Sequence, residues 1–388
     1  MRPPEAIAFG KADALLNPIQ LCDRPCREGL LARKNLENVE KSAHSLSKFI
    51  ADSSGVVIIG ACSSIGEQRA PLNMGEGKAR MEPRTTITAE AHRGRHSVDY
   101  FLNLVHLAPL MERTSGATQI VIAIMDGPVA VNHPDLAAES VRAIGGEPSA
   151  GCTHSGSAAC THGTFTAGIL SAKKGSPAPA ICPGCTLLVR TIFRESATEN
   201  GTLPSATPEE LAKAIVECID AGASVLNLSA AFAQPSSGAE RELEEALDYA
   251  ARLGVIVVAA SGNQGTLASS VITRHLWVIP VAACDLRGRP VGQTNLGGSV
   301  GRRGLLAPGE GVVSLGAEGE PLSLGGTSVA APFVTGTIAL LWSIYPRASA
   351  AELKHAVTMG AYGRRRTTIV PPLLDAWESY QTMATTYA

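Results

Sequence analysis

The chain has 388 residues, of which 45% are hydrophobic and 18% charged, with a formal net charge of -2. That length allows a large core and a smaller extra region, and the composition is that of a globular chain. The near-neutral balance argues against a polyanion or a membrane surface, so neither a nucleic acid nor a membrane is an expected partner. The first thirty residues carry Pro3, Pro4 and scattered charges without an unbroken apolar stretch of signal-peptide length. No apolar run reaches the roughly 20 residues needed to span a bilayer. A cytoplasmic protein is therefore expected.

In chain order, residues 1–107 differ from the rest and are set apart as an N-terminal extension. Leu30 to Ile50 is charged and mildly periodic, as in a surface helix. Val56-Val57-Ile58-Ile59 reads as a short buried strand, and residues 63–97 as a long loop rich in Gly, Arg, Glu and Thr. From residue 108 to residue 388 strands and helices alternate. The predicted strands are Ile120–Met125, Leu187–Phe193, Ser224–Ser229, Val255–Ala260 and Trp277–Ala283. Between and after them come helices at Thr164–Ser171, Pro208–Asp220 (with Thr207 as N-cap), Ala239–Leu253 (ended by Gly254) and Thr327–Tyr345. Ser349–Met359 and Leu373–Thr382 are closing helices, the first opened by the Ser349/Glu352 spacing of a capping box. Continuous apolar strands separated by helices imply a three-layer α/β fold: a mainly parallel sheet covered by helices on both faces. Such sheets bind ligands at the carboxyl ends of their strands, where Asp126 and Asn263 lie.

The nine cysteines leave at least one unpaired within a monomer. Cys152 and Cys160 flank one side of His162, and Cys182 and Cys185 have C-x-x-C spacing. Disulfides, reduced thiols and a structural zinc site are all compatible with these spacings. Cys218 and Cys284 sit in apolar runs, as core residues do.

Four segments carry chemistry. Gly325-Gly326-Thr327-Ser328 places a hydroxyl at the start of an apolar helix, where free backbone N–H groups favour developing negative charge. Asp126 follows an apolar strand, His162-Gly163-Thr164 stands at a helix start, and Ser261-Gly262-Asn263 follows another strand. Each alone is also explained by a cap, a turn or a surface position. Together they supply what acyl transfer by serine requires. Ser328 is the nucleophile, His162 its base, Asp126 the anion that orients the imidazole, and Asn263 a donor to the oxyanion.

With Met125-Asp126-Gly127, His162-Gly163-Thr164, Ser261-Gly262-Asn263 and Gly326-Thr327-Ser328-Val329-Ala330-Ala331-Pro332 in this order, the chain resembles the subtilisin-like serine proteases. His133-Pro134-Asp135-Leu136 and Leu306-Ala307-Pro308-Gly309 add to the likeness, which runs from near Leu107 to the C-terminus. The resemblance implies a serine endopeptidase acting through an acyl-enzyme, with no cofactor. Asp126-Gly127-Pro128-Val129 and the stretch from Cys182 to Phe193 further resemble the subtilases that mature cyanobactin-type ribosomal peptides. About 35 residues separate Asp126 from His162, too few for the capping insertion of the macrocyclising members, so hydrolysis is expected. The family pattern further implies that Leu228, Ser229 and Ala230 pair with an extended substrate. It also implies that Ala260 and Gly262 line the pocket for the residue before the scissile bond. Ala231 departs from the family's glycine, and the family's calcium sites have no clear acidic counterpart, so no metal is expected. A general degradative or exported subtilase, and a silent peptide-binding module of the same fold, are the alternative readings. The extension is expected to be a lineage-specific one of unknown role, with an inhibitory prosegment and a docking module for a precursor as the alternatives.

Overall fold

The predicted apolar runs become strands of one sheet. The computed structural model describes residues 57–59, 98–144, 151–195, 205–232, 240–267, 269–359 and 366–388. The helix expected at 30–50 and the loop expected at 63–97 lie outside them. The strands are β1 (Val57–Ile59), β2 (Val121–Asp126), β3 (Val141–Ala143), β4 (Thr186–Thr191), β5 (Ser205–Ala206) and β6 (Val225–Leu228). They continue with β7 (Ala230–Phe232), β8 (Ile256–Ala260), β9 (Val278–Cys284), β10 (Leu305–Pro308), β11 (Val312–Leu315) and β12 (Pro321–Leu324). Seven of them form a sheet in the order β10-β9-β8-β6-β2-β4-β3, parallel at every ladder.

Alternation along these strands builds two cores. Ile122 and Ile124 of β2 and Val258 of β8 face a core shared with Phe165 and Phe333. Their neighbours Ala123, Met125 and Val257 face a second core with Leu211 and Leu247. The first core is covered by helices Ala158–Ser171 and Thr327–Ile344, and the second by Pro208–Asp220 and Arg241–Leu253. Complete burial of one such Leu or Ile side chain contributes about 1.5–3 kcal/mol. The fold is thus the helix-covered parallel sheet that the sequence implies.

Local chemistry fixes the helix ends. Thr207 Oγ1 accepts the Glu210 N–H at 3.1 Å, and Glu210 Oε2 accepts the Thr207 N–H at 2.8 Å, closing a capping box. Ser349 and Glu352 make the same reciprocal pair. Gly254, at φ 69°, ends Arg241–Leu253 in the left-handed region that glycine tolerates. The helix Thr327–Ile344 is long and apolar enough to cross a membrane by length and composition, but 83% of it is buried inside the protein. It packs against the sheet as a core helix.

Several features differ from expectation. Residues 98–107, assigned by sequence to the extension, include Val98, Phe101, Val105 and Leu107, which pack into the first core. The histidine helix begins at Ala158 rather than Thr164, because Ser157 caps it by accepting the Cys160 N–H at 3.1 Å. The hairpin β11–β12 and the short helix Ala108–Arg113 were not anticipated. Separately from the main sheet, β1 lies between β5 and β7 in a three-stranded antiparallel sheet.

Candidate active site

Asp126 ends β2 at the carboxyl edge of the sheet and is fully buried. Its Oδ1 accepts the Gly127 N–H at 2.7 Å and lies 2.7 Å from His162 Nδ1. Its Oδ2 accepts the Thr166 hydroxyl at 3.0 Å. A buried carboxylate is tolerated only when its lone pairs are met in this way. His162 Nε2 lies 2.9 Å from Ser328 Oγ. With Nδ1 donating to Asp126, Nε2 is left as the acceptor that faces the hydroxyl. His162 is 3% exposed and Ser328 fully buried.

Backbone packing sets these distances. A Cβ at Gly127 would lie 2.0 Å from the Ala159 carbonyl oxygen. One at Gly163 would lie 2.4 Å from the carbonyl oxygens of both Gly127 and Pro128. Two glycines therefore let the histidine helix rest directly on the turn after β2. His162 sits in the second turn of that helix and Thr166 one turn later, on the same face. Sequence reasoning passed over Thr166, although its spacing of four from His162 was the available signal.

Ser328 is the second residue of helix Thr327–Ile344, among the first-turn N–H groups that a helix cannot use internally. Gly326 leads in at φ 130°, and a Cβ there would lie 2.8 Å from Asn263 Nδ2. Asn263 Oδ1 accepts the Thr327 N–H at 2.9 Å. That bond fixes the amide, and its Nδ2 is buried with no hydrogen-bond partner among the described residues. An orphaned buried donor is costly and calls for a ligand. The same amide lies against Gly326, two residues before Ser328.

The remaining predicted residues sit close to this centre. The Gly262 N–H donates to Thr327 Oγ1 at 3.1 Å, and its carbonyl accepts the Asn295 N–H at 2.8 Å. Thr327 belongs to the serine segment but was given no role by sequence, and Asn295 was not singled out at all; both are supporting residues here. Ala260 ends β8 and is buried. Leu228, Ser229 and Ala230 are buried where β6 passes into β7, with Leu228 in register with Met125. Ser229 Oγ accepts from Asn227 Nδ2 at 3.1 Å, and Asn227 Oδ1 accepts the Thr335 hydroxyl at 2.8 Å. That network joins the strand end to the serine helix.

The cysteines divide by pair. Cys152 and Cys160 form a disulfide that staples the loop to the first turn of the histidine helix. Glu195 braces the same loop by accepting from Thr153, the His154 N–H (2.9 Å) and Ser157 (3.2 Å). Burial works to raise the Glu195 pKa, but these hydrogen bonds outweigh it and hold the carboxyl below its ordinary range. Cys182 and Cys185 are buried thiols. Their mutual hydrogen bond pushes Cys182 up and Cys185 down. Cys218 and Cys284 are core thiols pushed by burial up to about 12, which leaves them inert.

The profile of the subtilase family matches residues 117–376, and the chain belongs to that family. Among curated relatives, fervidolysin of Fervidobacterium pennivorans is 32% identical over 282 residues, a match covering 65% of this chain and 38% of fervidolysin. The chain thus spans well under two thirds of that relative. Among solved structures, the prenylagaramide maturation protease PagA is similar at 27% identity and a TM-score of 0.61, covering 71% of this chain and 98% of PagA. The patellamide maturation protease PatA is similar at 26% identity and a TM-score of 0.60, covering 70% of this chain and 98% of PatA.

Proposed function

We propose that this chain is a serine endopeptidase that matures a ribosomally made precursor peptide by hydrolysis, with Ser328, His162 and Asp126 as its catalytic residues. The observation that carries the reading is the buried relay from Asp126 to His162 (2.7 Å) and from His162 to Ser328 (2.9 Å). The likeness to two peptide-maturation proteases along nearly their whole lengths supports the choice of substrate class.

In the first step Ser328 Oγ bonds to the scissile carbonyl carbon while its proton passes to His162 Nε2. The new imidazolium keeps its Nδ1–H on Asp126, whose buried charge stabilises it. The carbonyl oxygen, now an anion, accepts from Asn263 Nδ2 and from the Ser328 N–H. Collapse breaks the C–N bond, and the departing amine takes the proton from Nε2. Water then repeats the sequence: His162 removes its proton, the ester to Ser328 breaks, and Oγ recovers a hydrogen.

The test is covalent labelling by a fluorophosphonate, expected on the parent chain and lost in Ser328→Ala. Folded parent protein that takes no label would favour the silent peptide-binding module. Labelling together with release of a leader from a synthetic precursor, followed by mass spectrometry, is the positive outcome. A broad digest of unrelated proteins would point instead to a degradative subtilase. The state of Cys152 and Cys160 in cells bears on location, since such a bond persists in oxidising compartments and is reduced in the cytosol.

A further inference from the structure

The bond between Cys152 and Cys160 has a third group beside it. A carboxylate oxygen of Glu195 and the two sulfurs all lie within 4.8 Å of one another. Among the described residues no other three cysteine, histidine or carboxylate groups converge in this way. The C-x-x-C pair Cys182 and Cys185 is buried in the first core instead. Two soft sulfurs and one oxygen are a donor set for zinc, which takes thiolates at about 2.3 Å and carboxylates at about 2.0–2.2 Å. Tetrahedral ligands at those lengths stand about 3.6–3.8 Å from one another, so a shift on the order of 1 Å completes the set once the sulfurs part.

The surroundings keep these groups together when the bond between the sulfurs is cut. The Thr153 and His154 N–H groups donate to opposite oxygens of Glu195, each at 2.9 Å. Burial raises the carboxyl, but these bonds and those from the Thr153 and Ser157 hydroxyls hold it below its ordinary range, so it is anionic near neutral pH. Cys160 stands in the first turn of the histidine helix, where the dipole favours a thiolate. Thr164 Oγ1 lies 4.0 Å from each sulfur and accepts the Ala130 N–H at 2.9 Å, which leaves its hydrogen for a thiolate. Cys152 and Glu195 are half-buried and open the cluster to solvent.

We propose that Cys152, Cys160 and Glu195 form a redox-gated zinc site: oxidised, the cysteines are a disulfide, and reduced, the two thiolates and the carboxylate hold Zn²⁺ with water in the fourth position. Two molecules of a small thiol reduce the bond. The protein gains two thiols and the reductant leaves as its own disulfide. Zinc then binds both sulfurs as thiolates, and two protons are released. Either state pins the loop to the helix two residues before His162, so the staple survives in a reducing compartment where a disulfide does not. The site stands whether or not the chain cleaves peptides.

The experiment uses the full chain, reduced with a phosphine under argon and freed of metal. Iodoacetamide labelling is followed at each cysteine by mass spectrometry, with and without Zn²⁺. Zinc is expected to slow labelling of Cys152 about tenfold or more, because a metal-bound thiolate is withdrawn from attack. In Glu195→Gln the zinc needed for the same protection should rise about 10–100-fold. Co²⁺ in place of zinc should give thiolate-to-cobalt charge-transfer absorption in the reduced parent, and none from this site in the oxidised parent or in Cys152→Ser. Cys152 labelling that ignores zinc overturns the proposal, and that measurement needs no variant. Equal protection in Glu195→Gln, or cobalt absorption undiminished in Cys152→Ser, overturns it too. So does a reduced chain that loses its circular dichroism and does not regain it with zinc.

Discussion

Thr166→Val isolates the support beneath the buried carboxylate of Asp126. Valine keeps the branching and nearly the volume of threonine, so the helix and its packing are retained while one hydroxyl is lost. The Asp126 oxygen that accepts it, at 3.0 Å, belongs to a side chain with no solvent exposure, so water does not replace the bond. Hydrogen bonds to charged groups contribute about 1.5–3 kcal/mol each, and the stability of the variant should fall by that amount. The bond from His162 to Oδ1 remains, so the imidazole keeps its partner. If about 1.4 kcal/mol of the loss is felt in the transition state, the chemical step slows about tenfold. Thr166→Ser retains the hydroxyl and should recover most of both losses, which a purely volumetric role would not predict. Urea unfolding gives the stability difference, and the fluorophosphonate labelling rate reports the chemistry. A valine variant as stable as the parent, labelling at the parental rate, would show that the Thr166 hydroxyl does not sustain the buried charge of Asp126.

Asn263→Ala removes the proposed oxyanion donor and should lower kcat by about 10²–10³ with little change in KM; steady-state kinetics on a cleaved peptide decide it. Gly163→Ala places a methyl 2.4 Å from two backbone oxygens, and should cost about 1–3 kcal/mol of stability, read in thermal unfolding, together with a slower labelling rate as the helix is pushed off Gly127. Reducing Cys152–Cys160, which closes a loop with a sequence separation of 8, should cost about 2.5 kcal/mol, measured as the difference in urea stability with and without reductant. Glu195 titrates below its unfolded value, so its contribution is complete above the ordinary carboxylate range and is lost as pH falls through its lowered folded value. Glu195→Gln should flatten that part of the acid unfolding curve; an unchanged curve would show the loop brace to be inactive.

Much of the fold was legible because it depends on patterns the chain carries locally. The unbroken run from Ile120 to Met125 can only be a strand covered on both faces, and β2 appears there to within about two residues. Thr207, Gly254 and Ser349 marked helix ends by the side-chain chemistry that occupies those ends in the structure. The start of the histidine helix was hidden, because Ser157 and the Cys152–Cys160 bond organise a stretch whose glycines and serines have no helical period. The hairpin β11–β12 was missed for a related reason. Its strands are four residues each and partly exposed, too short for alternation to register. The roles of Thr166, Thr327 and Asn295 were not legible because they exist only once distant segments meet. Asn295 reaches Gly262 across a sequence separation of about 30.

The four chemical groups could be named from sequence, but their distances come from atoms the sequence does not advertise. A parallel sheet brings Asp126 and the end of β8 to one edge whatever the side chains around them. It leaves the histidine and serine helices free to sit an ångström nearer or farther. Backbone resting on backbone removes that freedom at Gly127 and Gly163, and the Asn263 amide removes it at Gly326; a single methyl at any of them would open a gap larger than a hydrogen bond tolerates. Precision at this site is thus a property of absent side chains. The most damaging small substitutions should be the glycine-to-alanine changes beside the relay, ahead of conservative changes in the larger cores. Volume-conserving swaps in a core usually cost under about 1.5 kcal/mol, because the neighbours repack. Two carbonyl oxygens within 2.4 Å of a new carbon at Gly163 have no such recourse.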